Sequence, residues 1–183
     1  MEAAAVIQHT ATWVEKMVIG LNLCPFAGPV FRKDGIRYQV SEARGPEVLW
    51  QDLLEELLFL AGQPAKEVET TLLIHPEALG DFADYLDFVE MTQDLLIETE
   101  LEGVLQIATF HPDYQFDGTA FEAAENFSNR APYPMLHLLR EERVAAAVEG
   151  HPDPEGIPAE NIRKLSALGQ QKLSDLRESC FSS

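Results

Sequence analysis

Three short apolar segments alternate with two helical segments in the middle of the chain, and this alternation restricts the fold more than any other feature. The strand patterns cover 36–42, 70–75 and 103–111, and the helical patterns cover 46–61 and 77–99. Aliphatic runs such as the second and third strand are typical of strands buried on both faces. Helical connections of this length join parallel strands through right-handed crossovers. The sequence therefore predicts an α/β fold with a mostly parallel sheet built as β-α-β-α-β.

The flanking segments add further helices. Apolar residues at helical spacing predict an amphipathic helix over residues 3–19, whereas residues 21–31 are too rich in proline and glycine for a helix. The segment that opens near Pro134 and residues 158–178 also have helical patterns. We expect the N- and C-terminal helices to pack on the sheet. A chain of 183 residues with 46% hydrophobic content fits a single domain, residues 1–183.

The formal net charge of −18 argues against nucleic acid and anionic membranes as partners, because both are polyanions. The first residues lack the basic region and the apolar core of a signal peptide, and no apolar run approaches the ~20 residues that span a bilayer. Two distant cysteines, Cys24 and Cys180, form no metal-type pair. We expect a cytoplasmic protein, and the sequence leaves its oligomeric state open.

Two of the predicted strands end in the same dipeptide, at His75-Pro76 and at His111-Pro112. In an open parallel sheet, ligands bind outside the carboxyl ends of the strands. Neighbouring parallel strands lie about 4.8 Å apart, so the two histidines are candidates to share a ligand or a metal ion. The alternative is that each His-Pro pair only ends a strand, with the imidazole capping a free carbonyl group.

A second polar group follows a long irregular connection at 112–132. His137 and Arg140 lie on one face of the predicted helix, and Asn129 and Arg130 precede it. A guanidinium group beside imidazoles binds carboxylates and phosphates well. The pattern therefore predicts an anion-binding site. The alternative is a solvated helix face on which Arg140 pairs outward.

Cys24, in the segment LNLCPFA, is an outer candidate. A cysteine between a leucine and a proline is commonly a small buried hydrophobic residue, and the alternative is a nucleophile or a metal ligand. The sequence contains no G-x-S-x-G, Walker A, G-x-G-x-x-G or H-E-x-x-H motif. The common hydrolase, NTPase, dinucleotide-binding and zinc-protease functions therefore lose their best support.

The segments LNLCPFA, QIATFHPDYQF and NRAPYPMLHLLRE resemble a bacterial family catalogued as the domain of unknown function fourteen-fifteen. The similarity covers nearly the whole chain. It implies that the motifs Phe110–Phe116 and Asn129–Glu141 belong together, and it names no chemistry. One departure is that Ala131 stands where we expect Ser or Thr, so a hydroxyl group at that position is not essential.

The leading hypothesis is an enzyme that acts on a small anionic metabolite in a His- and Arg-lined pocket at the strand ends. In this hypothesis His111 and His137 transfer protons. The cofactor is left open: one version adds a transition metal such as Zn or Fe with His75, His111 and His137 as its ligands, and the other is an anion site without a metal. Four residues bind the anion: Asn129, Arg130, Arg140 and Tyr114. The rival hypothesis is a non-catalytic ligand-binding or protein-interaction module, in which the same polar residues form a structural network.

Overall fold

The fold is built on one mixed sheet of four strands. In the computed structural model, which describes residues 2–182, the strands are β1 (Ile36–Val40), β2 (Thr70–Ile74), β3 (Leu105–Phe110) and β4 (Met135–Arg140). Their order in the sheet is β1-β2-β4-β3. The strands β1 and β2 are parallel, and β4 lies antiparallel between β2 and β3. The predicted α/β class is confirmed, but the prediction of a mostly parallel sheet is wrong.

The helices account for most of the remaining described chain. They are α1 (Ala3–Trp13), which continues as a π-helical segment (Val14–Ile19), α2 (Ala27–Arg32), α3 (Pro46–Gly62), α4 (Phe82–Glu98), α5 (Glu141–Glu149), α6 (Ile157–Leu168), α7 (Gln170–Glu178) and the 3₁₀ segments Ala124–Ser128 and Ser179–Ser182. No helix among these is both long enough and apolar enough to cross a membrane.

The strand β4 replaces the first part of a helix that we predicted from Pro134. Its sequence, MLHLLR, consists largely of good helix formers, and helix propensity is a weak prior that tertiary contacts override. In the fold these residues pair with β2 on one side and with β3 on the other. The helical part begins at Glu141, where α5 starts. His137 and Arg140 therefore lie on a strand, and the shared helix face predicted for them does not exist.

Two further predictions need correction. Residues 27–32 form the short helix α2 although the segment is rich in proline and glycine. The helix predicted over 158–178 is divided in two at Gly169, whose φ of 78° and ψ of 155° end α6 before α7 begins. This backbone conformation is available almost exclusively to glycine.

Helices cover both faces of the sheet. One face packs against α3 and α4 in a cluster that includes Leu57, Leu73 and Phe88. The other face packs against α1, α6 and α7 in a cluster that includes Trp13 and Ile74. Successive strand side chains point to opposite faces, which is why the neighbours Leu73 and Ile74 lie in different clusters. The strands β2 and β3 both run antiparallel to β4, so they end at the same edge of the sheet.

Candidate functional site

The structure brings His75 and His111 together at the carboxyl ends of β2 and β3, although β4 separates these strands. Both imidazoles are fully buried. Both rings contact Tyr85, with centroid distances of 5.9 Å for His75 and 5.1 Å for His111. The Phe82 ring lies 5.1 Å from His111 and 5.2 Å from Tyr114. We call these five residues the strand-end cluster.

Both histidines of the strand-end cluster bind the backbone that connects β2 to α4. His75 donates from Nδ1 to the carbonyl oxygen of Ala78 at 3.0 Å. His111 accepts a hydrogen bond at Nδ1 from the amide of Asp113 at 3.0 Å, so its proton lies on Nε2, which donates to the Leu79 carbonyl at 3.1 Å. The two imidazoles thus fix consecutive carbonyl groups, and Leu79 itself has a left-handed φ of 53°.

Burial keeps these two imidazoles neutral. It lowers the pKa of His75 to about 4, and it also lowers the pKa of His111. In the neutral form His111 uses both ring nitrogens in hydrogen bonds. His75 uses only Nδ1, and its buried Nε2 has no hydrogen-bond partner among the described residues. His75 is therefore the member of the cluster with an unused lone pair.

Arg130 holds the long connection after β3 in place. Its side chain is 4% exposed. The guanidinium group donates from Nε to the carbonyl oxygen of Tyr114 at 3.0 Å and from Nη2 to that of Phe121 at 2.6 Å. It also lies over the Phe121 ring, 4.4 Å from the centroid. These contacts direct the cation at the protein's own backbone and aromatic rings.

Two asparagines also form hydrogen bonds that hold this connection, and one of them was predicted from the sequence as a site residue. Asn129 donates from Nδ2 to the carbonyl oxygen of Thr109 at 3.0 Å. The other is Asn126, which was not predicted as a site residue and is fully buried. Its Oδ1 accepts from the Phe116 amide and the Thr119 hydroxyl, and its Nδ2 donates to two further carbonyl groups. A buried side-chain amide with all its hydrogen bonds formed is the mark of a structural residue.

His137 lies on the opposite face of the sheet from the strand-end cluster. In the pairing of β4 with β2, His137 lies opposite Leu72, whose side chain packs on the face covered by α1, α6 and α7. Side chains alternate between the two faces, so His75, two residues after Leu73, lies on the face covered by α3 and α4. The Nε2 of His137 is 2.7 Å from the hydroxyl oxygen of Thr70. Burial lowers the pKa of His137 to about 4. This imidazole is thus a neutral hydrogen-bond partner of β2.

Arg140 lies at the other end of β4, away from Arg130. The register pairs its neighbour Leu139 with the first residue of β2, whereas Arg130 lies beyond the last residue of β3. The Arg140 guanidinium donates to carbonyl groups in the last turn of α3 and after it, at 2.8 Å from Leu60, 2.7 Å from Gln63 and 3.1 Å from Val68. The two arginines predicted to bind one anion therefore do not meet.

The three histidines proposed as metal ligands do not converge either, since His137 is on the other face. Among the described residues, no group of three or more His, Cys, Asp or Glu side chains is arranged to hold a metal ion. Cys24 is a free, partly buried thiol. Burial raises its pKa, which disfavours the reactive thiolate and fits the role of a small hydrophobic residue.

A cleft of about 500 Å³ lies elsewhere, between the turn after the π-helical segment and the start of α6. We call it the α6 cleft, and its lining residues are Asn22, Pro25, His151, Asp153, Gly156, Ile157, Ala159, Glu160, Asn161, Arg163 and Lys164. Two contacts join its walls: Asn161 donates to the carbonyl oxygen of Leu23 at 2.7 Å, and Lys164 donates to that of Asn22 at 3.0 Å.

The α6 cleft was not predicted from the sequence. His151 and Asp153 lie in a proline- and glycine-containing loop before a helix, and this position is a weak signal for a site. No pattern in the sequence showed that Asn22 and Pro25 lie against this loop. A second cleft of about 300 Å³, between α4 and β3, is lined by three glutamates and no basic residue. Only the first of these two clefts offers cations to a ligand.

Comparison with known proteins gives a family and no further relative. No curated protein and no solved structure matches the chain. A family model described as "Protein of unknown function (DUF1415)" matches residues 5–175, which is nearly the whole chain. The chain belongs to this family.

Proposed function

We propose that this protein is a non-catalytic ligand-binding module that binds a small anionic molecule in the α6 cleft. The supporting observation is a contrast between two sets of donors. The side chains of Arg130, Arg140 and Asn129 donate to the protein's own carbonyl groups. In the cleft, His151 and Lys164 have hydrogens left for a ligand.

The tautomer of His151 provides one of these donors. The amide of Asp153 donates to His151 Nδ1 at 3.1 Å, so the ring proton lies on Nε2. The ammonium group of Lys164 carries three hydrogens, and the carbonyl oxygen of Asn22 accepts one of them. A carboxylate or phosphate oxygen is the natural partner for the remaining donors.

The size and charge of the cleft also favour a small molecule. Its volume lies within the range of roughly 300–1,000 Å³ that is typical of ligand pockets. The chain has 31 acidic and 13 basic residues, yet two of the basic ones, Arg163 and Lys164, line this cleft. The cleft is also lined by two carboxylates, Asp153 and Glu160, so it carries no excess of negative charge and repels an anion less than the rest of this acidic surface does.

Isothermal titration calorimetry with phosphate, sulfate and succinate at constant ionic strength tests this proposal. We expect at least one of these anions to bind and to raise the melting temperature, because it binds only the folded state. Lys164→Met should weaken binding, whereas Lys172→Met, on the exposed surface of α7, should leave it unchanged. If all three anions act on wild type only as general salts do, the anion-binding function is wrong.

The second candidate function is the enzyme at the strand ends, and one observation favours it. The neutral imidazole of His75 is oriented by the Ala78 carbonyl and keeps a free lone pair on Nε2. This is the state that a general base needs. The candidate requires the segment between β2 and α4 to open, because the ring is fully buried.

A turnover screen distinguishes the two functions. Wild type and His75→Asn are incubated with a mixture of small carboxylates and phosphate esters, and the mixture is followed by mass spectrometry. Asparagine can still donate to the Ala78 carbonyl but has no basic nitrogen. Conversion by wild type and not by His75→Asn supports the enzyme, whereas equal mixtures before and after incubation support the binding module.

A further inference from the structure

The α6 cleft carries charges of both signs, and their arrangement indicates a ligand that does the same. Its lining contains the carboxylates of Asp153 and Glu160 and the cations of Arg163 and Lys164. We propose that its ligand is a zwitterion with a carboxylate and an ammonium group, as in a free α-amino acid. This inference rests on the proposed function, because the ligand's carboxylate is the anionic group that the cleft binds, and it adds an ammonium group to the same ligand.

Arg163 and Glu160 pair with each other, so the charges that remain for a ligand are those of Lys164 and Asp153. Arg163 donates from Nε and Nη2 to the two carboxylate oxygens of Glu160, at 2.9 and 2.7 Å. This two-pronged contact directs the charge of Arg163 at Glu160 rather than at a ligand. Lys164 Nζ is 3.9 Å from Glu160, which is an ion-pair distance and too long for a hydrogen bond. Lys164 and the Nε2–H group of His151 are thus the donors for a ligand carboxylate.

Asp153 is the acceptor for the ammonium group. Its Oδ1 accepts the amide hydrogen of Gly156 at 3.1 Å, and its Oδ2 has no hydrogen-bond partner among the described residues. The carboxylate lies so close to Gly156 that a Cβ at this residue would be 2.2 Å from Oδ2. Because residue 156 is a glycine, the Asp153 carboxylate can lie in this position. Asp153 is only two residues along the chain from His151, which carries the donor.

Asn161 is a third polar residue in the lining of the cleft. Asn161 donates from Nδ2 to the Leu23 carbonyl, while its buried Oδ1 has no hydrogen-bond partner among the described residues. A buried carbonyl oxygen without a donor costs free energy that a ligand N–H group can recover. The apolar lining residues Pro25, Ile157 and Ala159 provide a surface for the ligand's side chain. The cleft thus matches a charged head group with an apolar substituent.

Calorimetric titration of wild type with matched ligands tests the inference. The probes are L-phenylalanine, 3-phenylpropanoate, which lacks the ammonium group, and phenethylamine, which lacks the carboxylate. The standard L-amino acids are compared in parallel by thermal shift, so that the result does not depend on one side chain. We expect an amino acid to bind at least about tenfold more tightly than either of its single-charge analogues.

Asp153→Asn isolates the ammonium contact, because asparagine keeps the acceptor for the Gly156 amide and loses the charge. This variant should lose the tenfold preference for the amino acid and retain the affinity for the simple carboxylate. Asp175→Asn, on α7, is the matched control and should behave as wild type. Should Asp153→Asn prove unstable, the three ligands on wild type still decide the question.

The outcomes separate this inference from the function on which it rests. If carboxylates without an ammonium group bind wild type as tightly as amino acids do, the ligand is a simple anion. The zwitterion inference is then wrong and the anion-binding module stands. If neither amino acids nor simple anions bind, both proposals are wrong.

Discussion

The role of each histidine in this protein depends on what its two ring nitrogens contact. His111 uses one nitrogen for the Leu79 carbonyl and the other for the Asp113 amide, and so connects two loops. His75 contacts one carbonyl and leaves a nitrogen unused. His151 uses one nitrogen and is partly exposed at the cleft. The same residue type thus serves as a cross-link in one place and is proposed as a base and as a ligand donor in the other two.

His111→Ala should lower the free energy of unfolding by about 2–4 kcal/mol, because it removes two buried hydrogen bonds and leaves their partners unsatisfied. Urea denaturation followed by circular dichroism measures the change. His151→Ala, in a solvent-accessible loop, is the control and should change stability by less than about 0.5 kcal/mol. If the His111→Ala protein is as stable as wild type, His111 has no structural role and is again a candidate site residue.

Arg130→Lys should destabilise the protein by about 1.5–3 kcal/mol, since an ammonium group cannot reproduce two divergent contacts to the Tyr114 and Phe121 carbonyls. The same denaturation experiment detects this loss. If Arg130 is structural, as its contacts indicate, anions that stabilise wild type should stabilise the variant equally. A selective loss of the anion response would instead place the ligand at the strand ends.

At the scale of the elements, conformation at single positions decides where helices end. Gly169 separates α6 from α7 with a φ of 78°, whereas Gly62, the last residue of α3, has an ordinary φ and open space around it. Gly169→Ala should therefore destabilise the protein by about 1–3 kcal/mol. Gly62→Ala should stabilise it by up to about 1 kcal/mol.

Thermal unfolding of the two glycine variants side by side checks this pair of effects. The side chain introduced is the same and space is open around both positions, so the backbone angle is the variable that differs. A Gly169→Ala protein as stable as the Gly62→Ala protein would mean that the junction between α6 and α7 tolerates another conformation.

The elements also show how far the sequence leads to the fold. The helices α3 and α4 were predicted from apolar residues at helical spacing, and the strands β2 and β3 from short aliphatic runs. The strand β4 was missed because MLHLLR has no β-branched residue to favour a strand and continues directly into the helical segment EERVAAAVE. Its position depends on pairing with β2 and β3, a contact between distant segments that the local pattern does not record.

For the molecule as a whole, the candidate site was only partly within reach of the sequence. That His75 and His111 follow strands ending at one edge of the sheet was predicted from the sequence. The neighbouring parallel strands that were expected to bring them together do not exist, because β4 lies between β2 and β3, and both rings instead contact Tyr85. The separation of Arg130 from Arg140 was not predictable, since it follows from the unexpected strand β4. The α6 cleft depends on contacts between residues near 22 and residues near 161, and neither segment alone indicates them.

The stability of the whole protein depends on pH through its buried histidines. The pKa of His75 falls from 6.5 in the unfolded chain to about 4 in the folded protein, and His137 behaves similarly. Between these values the unfolded state binds protons that the folded state excludes, so the contribution of these two histidines to stability decreases as the pH falls from about 6.5 to 4. For buried His75 the change is on the order of 3 kcal/mol.

The high negative charge opposes this trend, because protonation of carboxylates relieves repulsion in a chain with a net charge of −18. The comparison must therefore be made between variants at each pH. His75→Asn cannot titrate, so its stability should decrease less than that of wild type between pH 6.5 and pH 4. Urea denaturation at several pH values measures both curves. Parallel curves would mean that His75 is protonated in the folded protein and that its Nε2 has an acceptor.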